Sequence, residues 1–328
     1  MTSTRSDSFT LRPATLDDAQ DIVHLRNACA VERTGRSVTN LQAIRGMMEM
    51  PGLDLEADTL LALDPQGHLA GFALVQDNPP GPLIYALTEI GPRYWRTDIG
   101  AALCRWIEER ARRAIPKLEA GARVALLQQR LSTDDAGREL LLGEGYRIVR
   151  HNFRMLVELD GPPPPAAVPE GIAIRPFIRD REGLALIRAL REAFSDNWGY
   201  VDRGLGVEYE RWMHILDRDP DCDPAPFWFV AMDGEEIAGF ALCHPEMSED
   251  PEMAWVYVVG VRPAWRRRGI ALALLQHSFG ALYHADKRKV SLEVDAENPT
   301  GATRLYEKAG MHVERRHDTF EKELRPGE

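Results

Sequence analysis

The order of apolar and polar positions runs through the same steps twice along the chain. Each half opens with a short β-rich run ending in Arg-Pro and then switches to helical spacing. The two openings read FTLRPATLDDAQDIVHLRNA and IAIRPFIRDREGLALIRALREAF. In the first, Thr15 followed by Asp18 has the form of a helix start. Next come two apolar runs separated by turn residues, which predicts a hairpin in each half. The first run and turn are Thr59–Leu63 and Asp64–Gly67 in one half, Phe227–Met232 and Asp233-Gly234 in the other. The pentapeptide AGFAL follows both turns, at Ala70–Leu74 and at Ala238–Leu242. Each half then predicts a long strand, a helix, a strand, a helix and a closing pair of strands. One pentapeptide at one place in two matching element orders argues for a duplicated α+β unit. Between the copies lies GPPPPAAVPEG, Gly161–Gly171. Consecutive prolines enter neither a helix nor a central strand and favour a stiff extended linker. The expected division is a first domain of residues 1–160, a linker of residues 161–171 and a second domain of residues 172–328.

One strand-to-helix passage carries chemistry. Trp255–Val259 is rich in β-branched and aromatic residues, Pro263 stops the strand, and Ile270–Leu275 is good helix material. The turn between them contains Arg266, Arg267, Arg268 and Gly269. The first N–H groups of a helix lack partners and sit at the positive end of its dipole, so they donate readily to an anion. Gly269 and the small Ala271 let that anion approach the backbone. The bland alternative is a basic helix start on an ordinary turn.

A second passage is Lys289–Gly310, KVSLEVDAENPTGATRLYEKAG. Val290, Leu292 and Val294 alternate with Ser291, Glu293 and Asp295, which predicts a strand with one apolar face. Asn298-Pro299-Thr300 breaks it, Asn298 and Thr300 are both able to cap the following helix, and Gly310 ends it. Ala302, Leu305, Tyr306 and Ala309 share one helical stripe. A tyrosine there is ordinarily core, and Glu293 is ordinarily a solvated or ion-paired strand residue.

Composition narrows the function class. The 328 residues are 44% hydrophobic and 28% charged with a net charge of −11, as in a soluble protein with an acidic surface. That charge argues against nucleic acid as a partner, and no apolar run approaches the roughly 20 residues of a membrane helix. The start, MTSTRSDSFTLRP, lacks the apolar stretch of a secretory signal and reads as a disordered lead-in to a cytoplasmic protein. Cys29, Cys104, Cys222 and Cys243 form no CxxC pair, and the nine histidines show no metal-ligand spacing, so no metal is expected.

Arg266–Ala271 resembles the Q/R-x-x-G-x-G/A signature of the GNAT superfamily of N-acetyltransferases. Asn298–Gly310 is similar to that family's N-x-x-A-x-x-L-Y-x-x-x-G-F, with one extra residue before the helix and Met311 in place of the final aromatic. The resemblance implies tandem domains, each a mixed, mostly antiparallel twisted sheet splayed at the CoA site with helices on both faces. It implies acetyl-CoA as co-substrate, its pyrophosphate on the Arg266–Ala271 turn and its pantetheine arm along Val259 and Val261. It gives Tyr306 the proton for the leaving thiolate and Asn298 a contact to the CoA arm or the tyrosine. In ribosomal-protein N-acetyltransferases a catalytic glutamate stands where Glu293 does, with Asp295 a nearby rival. The variant with a glutamate on the strand before the turn is weakened, because that strand carries Trp255 and Glu252 falls outside it. The acceptor, a small-molecule amine or a peptide N-terminus, would border the loop after the first helix, with Phe194, Trp198 and Tyr257 as candidate contacts. Trp212 is a weaker one.

Laid on the second half, the first lacks these groups. Asp98 falls at Gly269, Leu141 at Tyr306 and Thr133 at Asn298. The arrangement resembles that of the mycothiol synthases, tandem proteins active in their C-terminal half, in architecture alone. The expected activity is N-acetylation in the second domain; the alternative is a non-catalytic acyl-CoA-binding or sensing protein on the same fold.

Overall fold

The computed structural model describes residues 9–77, 81–217, 225–247, 250–298 and 300–327. The first eight residues of the lead-in, Cys222 and Pro299 lie outside them. In chain order the elements are β1 (Thr10–Arg12), α1 (Ala19–Thr34), α2 (Leu41–Met48), α3 (Leu55–Asp58), β2 (Thr59–Leu63), β3 (Leu69–Gln76), β4 (Leu83–Ile90), α4 (Ile99–Arg112), β5 (Val124–Leu131), α5 (Asp135–Gly143) and β6 (Arg147–Glu158). They continue with β7 (Ile172–Pro176), α6 (Arg179–Phe194), α7 (Leu205–Asp217), β8 (Trp228–Asp233), β9 (Glu236–His244), β10 (Met253–Val261), α8 (Ile270–His284), β11 (Lys289–Asp295), α9 (Ala302–Lys308) and β12 (His312–Arg325). No described residue between Gly161 and Gly171 is in a helix or strand.

The two openings share a physical reason. Arg12 bridges Asp18 in the turn that leads into α1, at 2.8 Å, and Arg175 bridges Glu182 in α6, at 3.0 Å; each also donates to the carbonyl of the proline that follows it. Thr15 starts the first turn as expected, its N–H and hydroxyl both donating to Asp18. The repeated AGFAL has a packing reason. A Cβ on Gly71 would stand 2.8 Å from Leu103 Cδ1 of α4, and one on Gly239 would stand 3.2 Å from Leu274 Cδ1 of α8 and 2.8 Å from the Gly260 carbonyl. Glycine lets the helix after the turn settle onto the sheet, while Phe72 and Phe240 beside it are fully buried.

The chain forms two compact units, Met1–Arg150 with His317–Glu328, and His151–Arg316. In the first, the strands run β1-β2-β3-β4-β5-β12; in the second, β7-β8-β9-β10-β11-β6. Each sheet has one parallel pair, β4 with β5 and β10 with β11. These units differ from the linear division 1–160 and 172–328. The closing element of each copy is one long strand rather than a pair, and it completes the other copy's sheet. Asn152–Glu158 of β6 pair with β11, and His317–Arg325 of β12 pair with β5. Alternation fixes which face of a strand is apolar but leaves open which sheet edge receives it.

In the second unit the two faces have separate cores. Val290, Leu292 and Val294 pack with Leu275 and Phe279 of α8 and Tyr306 of α9. Trp228, Phe240, Leu242 and Val258 pack with α6 and α7 on the other face.

Candidate active site

The parallel pair β10–β11 opens after three rungs, Met253–Lys289, Ala254–Val290 and Trp255–Ser291. Beyond them β10 follows β9, with a bulge at Tyr257, and β11 follows β6. The Arg262 N–H donates to the Ala238 carbonyl at 2.9 Å. Antiparallel bonding alternates, so Gly260 and Val258 also bond toward β9, while Val259 and Val261 turn their backbone groups into the gap. Both residues expected along the pantetheine arm therefore face the opening between the strands.

The turn at the end of β10 is built to leave donors open. Gly269 is left-handed at φ 85°, as is Arg267 at φ 64°. The first intrahelical bond is Ala273 N–H to the Gly269 carbonyl, and no backbone carbonyl among the described residues accepts from the N–H groups of Arg267–Leu272. These donors stand at the N-terminus of a 15-residue helix, a favourable place for an anion. The three arginines divide. Arg266 forms an ion pair with Asp196 and donates to the carbonyls of Ala193 and Val261, at 2.9 and 3.3 Å, so it clamps the loop after α6 to the turn. Arg268 lies 3.3 Å from Asp233, and Arg267 is exposed with no side-chain partner among the described residues.

Tyr306 lies in the α8–α9 core, 8% exposed, and its hydroxyl has no hydrogen-bond partner among the described residues. Burial pushes its phenol up to about 12, which keeps it protonated across ordinary pH. Asn298 departs from its expected capping role. Its carboxamide oxygen accepts from the N–H and hydroxyl of Thr300, at 2.9 and 2.5 Å, and Gly301 at φ 73° is the residue that caps α9. The helix starts late because the asparagine closes a local turn first. Glu293 is exposed and, by alternation, lies on the opposite face of β11 from Tyr306.

Two residues on the Glu293 face, Arg154 and His244, were not singled out from sequence. Arg154 is buried, and its Nε donates to Ser291 Oγ at 2.8 Å. Its guanidinium carbon lies 5.6 Å from the Trp255 ring centroid and its Nε 3.2 Å from Glu314. His244 of β9, the pairing partner of Trp255 on β10, sits edge-on to Tyr257 at 6.2 Å. Nothing in the sequence signals these two, because a lone arginine or histidine in a strand has no pattern. Of the candidate acceptor contacts, Phe194 packs on Phe240 and Gly260, Tyr257 is half-buried at the bulge, and Trp198 is 41% exposed on the loop after α6.

The same place in the first unit is closed. Counting back from Pro92 and Pro263, Thr88, Glu89 and Ile90 stand where Val259, Gly260 and Val261 do. Counting on from the first parallel rungs, Gln128 and Gln129 stand where Leu292 and Glu293 do. The Thr88 hydroxyl donates to Gln128, whose amide donates to the Tyr146 hydroxyl. Glu89 holds Arg33 at 3.2 Å, and Arg33 also meets Asp134 at 3.1 Å. The Ile90 carbonyl accepts from Trp95 Nε1 and Cys29 Sγ, at 2.8 and 3.1 Å. At the turn, Asp98 has ordinary helical angles, φ −73° and ψ −1°, and the Thr97 N–H folds back to the Tyr94 carbonyl.

Comparison with known proteins fits this geometry. The family profile described as "Acetyltransferase (GNAT) family" matches residues 166–311, inside the second unit. The chain is 31% identical over 256 residues to the mycothiol acetyltransferase of Thermomonospora curvata, covering 77% of this chain and 78% of that protein. The whole chain also superposes on the crystal structure of a GCN5-related N-acetyltransferase from Sphaerobacter thermophilus, with TM-score 0.79, 33% identity and 98% of that chain covered. The chain belongs to the GNAT family of acetyltransferases. It is an acyltransferase with tandem GNAT architecture. A tandem GNAT protein from the clavulanic acid biosynthesis pathway shares the fold at TM-score 0.70 and 15% identity, covering 98% of this chain and all of the other. The mycothiol acetyltransferase of Streptomyces scabiei is 28% identical over 272 residues, covering 81% of this chain and 80% of that protein. The GNAT fold implies acetyl-CoA as co-substrate. No described helix is long and apolar enough to cross a membrane.

Proposed function

We propose that this GNAT protein transfers an acetyl group from acetyl-CoA to a primary amine, by direct attack on the thioester, in the second unit. The observation that carries the reading is the parting of β10 from β11 after Trp255–Ser291, beside the open N–H groups of the α8 turn. Arg267, Gly269 and Ala271 would hold the pyrophosphate, with Arg268 at the rim and Arg266 bracing the turn. Val259 and Val261 would hold the arm, and the Val259 N–H would receive the charge that develops on the thioester oxygen. Asn298, its carboxamide oxygen held by Thr300, would contact the CoA arm or Tyr306.

The two faces of β11 divide the proton work. The amine must lose a proton, and Glu293 would take it on the acceptor side, directly or through water. Tyr306, held neutral by burial, would give a proton to the departing thiolate on the other side. Phe194 would shape the acceptor side from beneath, with Trp198 and Tyr257 at its border. The name of the relatives, mycothiol acetyltransferase, favours a small-molecule amine over a peptide N-terminus. The first unit, with its gap stitched by Thr88–Gln128 and Arg33–Glu89, would keep the fold without the chemistry.

Release of free CoA from acetyl-CoA over a panel of primary amines tests the reading, with Tyr306→Phe as control. Turnover that falls in the variant supports it. Tight CoA binding with no amine acetylated would point instead to a sensing protein.

A further inference from the structure

We propose that Arg154 is a positioning residue that fixes where β10 and β11 part. The inference rests on the proposed acetyl transfer for its kinetic consequence, but its structural content is separate. Arg154 is encoded before the linker, on the exchanged strand β6, and its side chain is 5% exposed. Its Nε donates to Ser291 Oγ at 2.8 Å and its guanidinium lies over the Trp255 ring at 5.6 Å. Trp255 and Ser291 are the last rung of the parallel pair. A further nitrogen of the same group reaches Met253 Sδ at 2.8 Å and Met247 Sδ at 3.2 Å, and Met253 belongs to the first rung. One side chain thus spans the whole short ladder and holds both residues at its vertex. Glu314, 3.2 Å away, supplies the countercharge that a buried guanidinium requires.

A parallel ladder of three rungs is weak by itself. Without a brace the vertex is free to close by a rung or to open by one. Either change moves the Val259 N–H relative to Glu293, which pairs with Arg154 across β6 and β11. It leaves the α8 turn in place, because that turn is held by Arg266 with Asp196 and by Trp265 with Asp233. The brace therefore governs the acyl end of the site and not the pyrophosphate end.

The full chain is compared with Arg154→Met and Arg154→Lys in three measurements. Hydrogen exchange read by mass spectrometry is expected to rise in segments 255–261 and 291–295 in both variants, while peptides from β8 and α6 keep their protection. CoA affinity by calorimetry is expected to stay within about threefold, because the turn is untouched. With the amine that wild type acetylates fastest, kcat is expected to fall roughly a hundredfold, the scale of a misplacement near 1 Å. Lysine keeps the charge but cannot reach Ser291 and Trp255 together, so it should behave like methionine. Arg154→Lys with wild-type exchange and kcat would overturn the brace. Equal loss of protection across the whole unit, together with loss of CoA binding, would overturn it too, in favour of a general stabilising role. If wild type acetylates no amine, the transfer reading fails, and the exchange measurement still decides the brace.

Discussion

The Thr88 hydroxyl, two residues beyond the last rung between β4 and β5, donates a 2.8 Å hydrogen bond to the side chain of Gln128 in that rung. At the matching level of the second unit, β10 and β11 have already separated. One duplicated sheet thus carries a closed gap and an open one, and the closed gap is sealed by side chains that a CoA arm would have to displace. The full chain should bind one CoA, with a calorimetric stoichiometry near one; a value near two would contradict the closed first unit.

The network that closes it is a folding element. Glu89→Ala leaves the Arg33 guanidinium with Asp134 alone, and both acidic partners are buried. Breaking such a pair from one side costs about 3–5 kcal/mol. Thermal melting should shift down accordingly, while kcat per folded molecule stays at the wild-type value.

Gly269→Asp places in the second turn the residue that Asp98 supplies in the first. The position has φ 85°, and a carboxylate there both strains the backbone and repels pyrophosphate. CoA affinity should fall roughly a hundredfold by calorimetry with the melting temperature changed by only a few degrees. An affinity unchanged by the substitution would remove the turn from the binding site.

Cutting the chain at its proline-rich linker should not release a working second domain. Residues 172–328 lack β6, so β11 loses the partner of Asn152–Glu158 and the core loses Met155, Val157 and Leu159. Circular dichroism of that fragment should show no cooperative unfolding, whereas the full chain should unfold sharply.

The exchange of strands was the part of the fold hardest to read in advance. Both β6 and β12 alternate as strands do, and the alternation of Met155 and Val157 with Arg154 and Leu156 is compatible with either sheet edge. The hairpins, the turn and the Tyr306 stripe were legible because each depends on local chemistry: a glycine at positive φ, a proline that stops a strand, apolar residues three and four apart. Asn298 shows the boundary of such reading, since its capping group was spent on Thr300. Arg154 became visible only once β6 was seen to lie beside β11.

The pH dependence separates the two proton-handling groups. With Tyr306 pushed up to about 12 by burial, the acid form persists while rising pH frees the acceptor amine. The rate should climb with pH and show no alkaline fall from Tyr306 up to about pH 10, near the ordinary tyrosine value. A kcat that drops between neutral pH and that point would contradict a phenol acid held protonated by burial.

The most direct test of the account is acetyl transfer itself: free CoA produced from acetyl-CoA with a panel of primary amines, in wild type, Tyr306→Phe and Glu293→Gln. Turnover is expected with at least one amine, with a fall in kcat of about a hundredfold or more in each variant, the usual scale for losing a general acid or base, and with CoA affinity retained. Wild-type turnover that survives undiminished in both variants would contradict it.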